Sequence, residues 1–207
     1  MQHADYKTID APPAPDRVRI QILLGSTREG RFGDCVAKWL YGHATEREDL
    51  IAELIDLRDW PLPFFNEPLS PITGRYASEA RAWAAKVAEA DGYLFVTPEY
   101  NFGYPAVLKN ALDHIYHEWN NKPVSFVGYG GAAGGSRAVQ QLRQVVVELQ
   151  MAPIRAGIVI PFARRLFDES GAIRDESYDA RASALLDQLV WWTRALKAAR
   201  AEKTSTQ

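Results

Sequence analysis

One cysteine, Cys35, is all the chain contains, so no internal disulfide can form and none is needed to fold it. Long apolar runs are missing as well. No stretch approaches the roughly 18–20 consecutive apolar residues that span a bilayer, and no basic cluster adjoins an amphipathic segment, so no membrane attachment is expected. Charge of one sign is lacking too: 24 Lys and Arg against 26 Asp and Glu leave a formal −2, without the basic footprint of a nucleic-acid binder. The first ten residues hold two Asp and no hydrophobic core of an export signal, which together with the lone cysteine predicts a cytoplasmic address. What is present is ordinary for a folded domain: 207 residues, 47% hydrophobic, 24% charged and 11% aromatic. A chain of that size buries about 70% of its unfolded surface without staples.

Three segments follow from composition: an extension over 1–16 carrying Pro12, Pro13 and Pro15, a domain over 17–200, and a fraying tail over 201–207. Within the domain, apolar runs alternate with helical periodicity. Strands are predicted at VRIQILL from Val18, IAELIDL over Ile51–Leu57, YLFVT over Tyr93–Thr97, VSFVGY over Val124–Tyr129, and Ile154–Ile160. Helices are predicted around Phe32–Leu40, Ala80–Ala88, Leu108–Ile115, Ala138–Leu149 and about Tyr178–Arg200. Five strands alternating with helices require an α/β fold with a parallel sheet covered on both faces, because every parallel connection is a crossover.

Ligands of such sheets collect beyond the carboxyl ends of the strands. Three loops there can carry chemistry. GSTREGRFG at Gly25–Gly33 joins a strand to a helix N-terminus, where unsatisfied N–H groups, hydroxyls and arginines suit a phosphate. It has neither the Lys-Ser/Thr ending of a P-loop nor a GxGxxG pattern, so neither a nucleoside triphosphate nor a dinucleotide is favoured. PEYNFGYP at Pro98–Pro105 interleaves aromatic and amide groups between prolines, a surface for a flat heteroaromatic ring. The glycines of Gly130–Gly135 allow close approach of a backbone to a ligand. Taken singly, each loop also reads as an ordinary turn.

Four segments in order, GSTREGRFG, PEYN, YPAVLKNALD at Tyr104–Asp113 and GYGGAAGG at Gly128–Gly135, give the chain its resemblance to the NADPH-dependent FMN reductases, which include quinone, chromate and azo-dye reductases. The resemblance runs from about Val18 to Arg200. It implies a flavodoxin-like three-layer sandwich with strand order 2-1-3-4-5 and helices on both faces. It also implies that Ser26, Arg28, Arg31, Phe32 and Gly33 surround the FMN phosphate, that Pro98, Glu99, Tyr100, Asn101 and Phe102 border the ribityl chain and ring, and that Gly130 and Gly131 approach the far edge. Many relatives carry Ser and Asn where this chain has Arg31 and Gly33. The implied chemistry is hydride transfer from NADPH to the flavin, then reduction of a quinone, flavin or other small acceptor, in ping-pong fashion. No catalytic side chain and no metal are implied, and the implied assembly is a homodimer or homotetramer. A rival reading is a flavodoxin-like FMN-binding electron carrier that takes no hydride from nicotinamide; the near-neutral charge argues for the enzyme.

Other residues carry blander readings. His114 and His117 share a helix, but HIYHE matches no zinc signature, so an interface or solvated face is expected. Cys35 is read as packing rather than redox chemistry. Lys109 and Asp113 are spaced for a helix ion pair. Trp60, Phe64 and Phe65 lie in a proline-rich loop that would line a substrate mouth or an oligomer contact.

Overall fold

The computed structural model describes residues 17–205; the predicted 1–16 extension and residues 206–207 lie outside it, and for 203–205 only the backbone is described. Strands β1 (Val18–Leu24), β2 (Leu50–Asp56), β3 (Gly92–Pro98) and β4 (Pro123–Tyr129) are all parallel, with β1 between β2 and β3 and β4 beyond β3. β3 and β4 are buried along their whole length, as continuous apolar runs demand. The fifth position differs in detail from the uninterrupted strand predicted over 154–160. It is shared by β5 (Ala152–Pro153) and β6 (Ile158–Ile160), both pairing with β4. Between Val124 and Val127 the partner chain inserts two extra residues, from Pro153 to Ile158, and the bulged backbone is satisfied by side chains: Arg143 donates to the Ile154 carbonyl, Ser125 to that of Ala156, and the Ala156 amide donates to Gln188. The order is therefore 2-1-3-4-5.

Helices α1 (Gly33–Thr45) and α6 (Ser177–Ser205) cover one face through Val36, Leu40, Leu185 and Leu189. The other face is covered by α2 (Ser78–Ala88), α3 (Ala106–Asp113) and α4 (Ser136–Glu148), around Trp83, Trp119, Phe95 and Phe126. A short α5 (Ala163–Leu166), not expected from periodicity, follows β6. The final helix continues to Ser205, past the boundary at 201 where a tail was expected. Among the described residues, no helix is long and apolar enough to cross a membrane.

At the amino end of β4, away from the strand carboxyl ends, Lys122 is buried with its ammonium donating to the Ala88 carbonyl at 3.2 Å and the Tyr93 hydroxyl at 3.2 Å. Burial, then the nearby Arg200, lower its pKa to about 8, against the opposing pull of Asp91 and Glu118. Below pH 8 the folded chain carries the full cost of that buried charge. Between about pH 8 and 10.5 the unfolded chain holds a proton the folded one has released, so stability rises with pH. Compared with Lys122→Met, the wild type should gain about 2–3 kcal/mol over that interval, read from urea midpoints at each pH. Parallel pH profiles for the two proteins would show that Lys122 stays charged.

Candidate functional site

The strand order reverses between β1 and β3, and the loops leaving their carboxyl ends diverge there to form a crevice. Pairing of Tyr129 with Ile160 brings the end of β6 to the same place. The result is a cavity of about 400 Å³ lined by Arg28, Arg31 and Phe32 after β1, Pro98, Glu99 and Tyr100 after β3, Tyr129 to Gly131 after β4, and Phe162 to Arg165 after β6.

The first loop is held by an ion cluster. Arg31, whose guanidinium is almost wholly buried, binds both oxygens of Asp56 at the end of β2, one oxygen of Asp34 and the Ser26 carbonyl. Burial alone would lower the arginine's pKa, but the Asp56 and Asp34 bonds outweigh it and raise it. Burial would likewise raise the Asp56 carboxyl, yet the bonds from Arg31 and the Arg58 amide hold it below the ordinary carboxylate range. Arg58 adds a second clamp, donating to the carbonyls of Thr27 and Arg28. Arg31 thus borders the cavity with its charge already engaged. Ser26 is fully buried, its hydroxyl 2.7 Å from that of Tyr100, which fastens the first loop to the second.

Gly33 opens α1, and no side chain caps this N-terminus. A Cβ at Gly33 would lie 2.4 Å from the Tyr129 hydroxyl, so only glycine lets that phenol approach the helix start. The Tyr129 hydroxyl is buried and has no hydrogen-bond partner among the described residues. Burial, then the neighbouring Tyr100, push its pKa up, so it remains a proton donor at neutral pH. An unpartnered buried donor beside free helix amides is a place for an oxyanion. Arg28, Arg164 and Arg165 add positive charge, and none has a carboxylate within ion-pair distance among the described residues.

In the second loop, Tyr100 and Gly103 exchange backbone hydrogen bonds at 2.8 and 3.0 Å across Asn101 and Phe102, whose φ values are 48° and 70°. That is the geometry of a primed hairpin turn, unusual for an aromatic residue and costing about 1–3 kcal/mol. Gln141 holds it by donating to the Phe102 carbonyl, and Arg137 lies over the Phe102 ring at 3.7 Å while pairing with Glu99. Asn101 and Phe102 consequently border a neighbouring recess with Gly131 rather than the main cavity.

Of the twelve residues expected from sequence, eight line one cavity, Ser26 and Gly33 lie directly beneath it, and Asn101 and Phe102 flank it. Sequence reading missed Tyr129 and the Phe162–Arg165 segment. The signal for the latter was the FARR run directly after the last apolar strand.

The matching family model, NADPH-dependent FMN reductase, spans residues 18–164. The chain belongs to this family. It is 44% identical over 148 residues to a NAD(P)H-dependent FMN reductase of Schizosaccharomyces pombe, covering 69% of this chain and 74% of that one. A NADPH:quinone oxidoreductase of Arabidopsis thaliana is 36% identical over 138 residues, 65% of this chain and 69% of that protein. Among solved structures, the flavoenzyme NAD(P)H:(acceptor) oxidoreductase FerB of Paracoccus denitrificans superposes with a TM-score of 0.69 at 20% identity, over 86% of this chain and 98% of that one, and shares the fold. As an FMN reductase the chain is an oxidoreductase with FMN as cofactor and NADPH as electron donor.

The remaining candidates have separate places. His114 Nε2 is 2.8 Å from the Pro63 carbonyl and His117 Nε2 is 2.9 Å from that of Ile72, so each histidine fastens a different point of the proline-rich loop. Lys109 and Asp113 form their ion pair at 2.6 Å. Cys35, in the first turn of α1, is half-buried and packs against the core. Trp60 packs on Trp83, with ring centroids 5.2 Å apart, whereas Phe64 is 82% exposed.

Proposed function

We propose that the cavity holds FMN with its phosphate at the β1–α1 loop, against Arg28, Phe32, the α1 amides at Gly33 and the Tyr129 hydroxyl. Pro98, Glu99 and Tyr100, with Asn101 and Phe102 behind them, would border the ribityl chain and ring, and Gly130 and Gly131 the far edge. The observation that carries this reading is the unpartnered Tyr129 donor, set beside an uncapped helix start in a cavity bordered by arginines. Such a site fits a phosphate dianion without a metal. Arg31, at the cavity wall with its charge engaged, fixes the loop to β2 through Asp56, and Ser26, beneath it, fixes the loop to Tyr100.

When bound, the flavin supplies hydride acceptance from NADPH and delivery of the electrons to a quinone, flavin or similar small acceptor. The chain's own part is to grip one side and the edges, leaving one open face that donor and acceptor occupy in turn; ping-pong kinetics follow. No side chain is required as acid or base. The exposed Phe64, Leu69 and Ile72 in and beside the proline-rich loop support burial against another copy in a homodimer or homotetramer. The lone cysteine and the absence of a membrane-crossing helix among the described residues support a cytoplasmic setting.

The phosphate assignment predicts that FMN binds more tightly than riboflavin, and that Arg28→Ala loses about 1.5–3 kcal/mol of FMN affinity, roughly ten- to a hundred-and-fifty-fold, while riboflavin affinity changes little. Fluorescence titration of the apoprotein with both flavins reads this directly. Equal affinity for the two flavins in the wild type would remove the phosphate from this loop.

A further inference from the structure

Phe162 stands at φ 48° in the left-handed region, where an aromatic residue is strained. It is held there by backbone hydrogen bonds to the glycine loop: its amide donates to the Gly131 carbonyl at 3.0 Å, and the Ala163 amide donates to that of Gly130 at 3.2 Å. The Arg165 amide closes the turn onto the Phe162 carbonyl at 2.8 Å. This turn brings two arginines to the rim of the flavin cavity, each over an aromatic face: Arg164 lies 5.1 Å from the centre of the Phe32 ring, and Arg165 lies 5.1 Å from that of Phe162, itself 48% exposed. Arg164 also donates to the Gly30 carbonyl at 3.4 Å, whereas among the described residues no side-chain hydrogen bond engages Arg165, whose planar N–H edge matches the oxygens of a phosphate.

Charge indicates which phosphate. The flavin monophosphate brings about −2, which Arg28, the α1 amides and the Tyr129 hydroxyl already face. Arg164 and Arg165 are additional, and no acidic side chain pairs with either among the described residues. The donor that must enter this same cavity exists in two forms that differ by one phosphate on the adenosine ribose. Resting on the flavin site proposed above, we infer that the Phe162 turn is the donor-selecting element, with Arg165, assisted by Arg164, taking the 2′-phosphate that distinguishes NADPH from NADH.

The test compares wild type, Arg165→Ala and Arg165→Lys as FMN-loaded proteins of matched thermal stability. Calorimetry with adenosine 2′,5′-bisphosphate and adenosine 5′-monophosphate reads the phosphate without any turnover. Wild type should bind the bisphosphate about tenfold or more tightly, Arg165→Ala should reduce that ratio to less than threefold, and Arg165→Lys should fall between. In steady state, the Arg165→Ala kcat/KM should fall about tenfold with NADPH and by less than threefold with NADH, mainly through KM. A wild type that does not distinguish the two nucleotides overturns the inference, as does a ratio that survives Arg165→Ala. A loss that falls on FMN affinity instead would reassign the turn to the flavin phosphate. Flavin reduced equally well by NADPH and NADH defeats donor selection alone, whereas flavin reduced by neither defeats the function on which it rests.

Discussion

Arg31→Ala should lower the stability of the fold by about 2–4 kcal/mol and the melting midpoint by about 5–10 °C. The effect comes from what is left behind. Asp56, Asp34 and the Ser26 carbonyl all accept from one buried guanidinium, and its removal strands two carboxylates at the carboxyl end of the sheet. Breaking a buried pair from one side costs about 3–5 kcal/mol; the lower range is expected here because Asp34 is 41% and Asp56 26% exposed, so water screens part of the loss. Adding Asp56→Asn to Arg31→Ala should restore part of the stability, since the second change removes a stranded charge. The sign of the pH dependence follows from Asp56. Its carboxyl is held below the ordinary range in the folded state, so its contribution is present above about pH 4 and is lost as pH falls through the lowered pKa. The gap between wild type and Arg31→Ala should therefore close in acid. Urea melts at neutral pH and at pH 3 decide it: a gap that is absent at neutral pH, or unchanged at pH 3, removes Arg31 as the anchor of this loop.

Gly135→Ala should destabilise the fold by about 3–5 kcal/mol. Gly135 has φ 87°, and a Cβ there would meet the Tyr129 nitrogen at 2.6 Å and the Gly128 Cα at 2.8 Å. Both obstacles are backbone and cannot rotate away, so left-handed strain and overpacking add. Relief would require the 130–135 loop to lift from the end of β4, taking with it the carbonyls of Gly130 and Gly131 that hold the Phe162 turn. Gly131→Ala is the matched control, because a Cβ there meets nothing within 4 Å; it should stay within about 0.5 kcal/mol. Thermal melts of the two variants suffice. Equal stability of both would mean that the loop yields, and that its packing against β4 does not shape the cavity.

The strands were legible because buried parallel strands are unbroken apolar runs, as β3 and β4 are, while their order came from the resemblance to the family. The break between β5 and β6 was not legible: Ile154 through Ile160 reads as one strand despite Arg155 and Gly157, and the bulge is stabilised by Arg143, Ser125 and Gln188, which are distant in sequence. At the site, Arg28, Phe32, Tyr100 and Gly130, singled out from the loops at the strand ends, line one cavity. Loop position did not reveal that Arg31 is engaged by Asp56, twenty-five residues away, because an ion pair across strands leaves no local pattern. Tyr129 looked like the last residue of a strand. Only the absent Cβ of Gly33, brought against it by the fold, turns its hydroxyl into a candidate ligand donor.

Anaerobic titration of the FMN-loaded protein with NADPH shows whether this cavity holds FMN where a nicotinamide donor can reduce it. The visible flavin absorbance should be lost under argon before any acceptor is present and should return when a quinone is added, with parallel double-reciprocal lines at several fixed quinone concentrations in the steady state. Absorbance that persists for many minutes in excess NADPH and NADH would contradict the account and leave an FMN-binding electron carrier in its place.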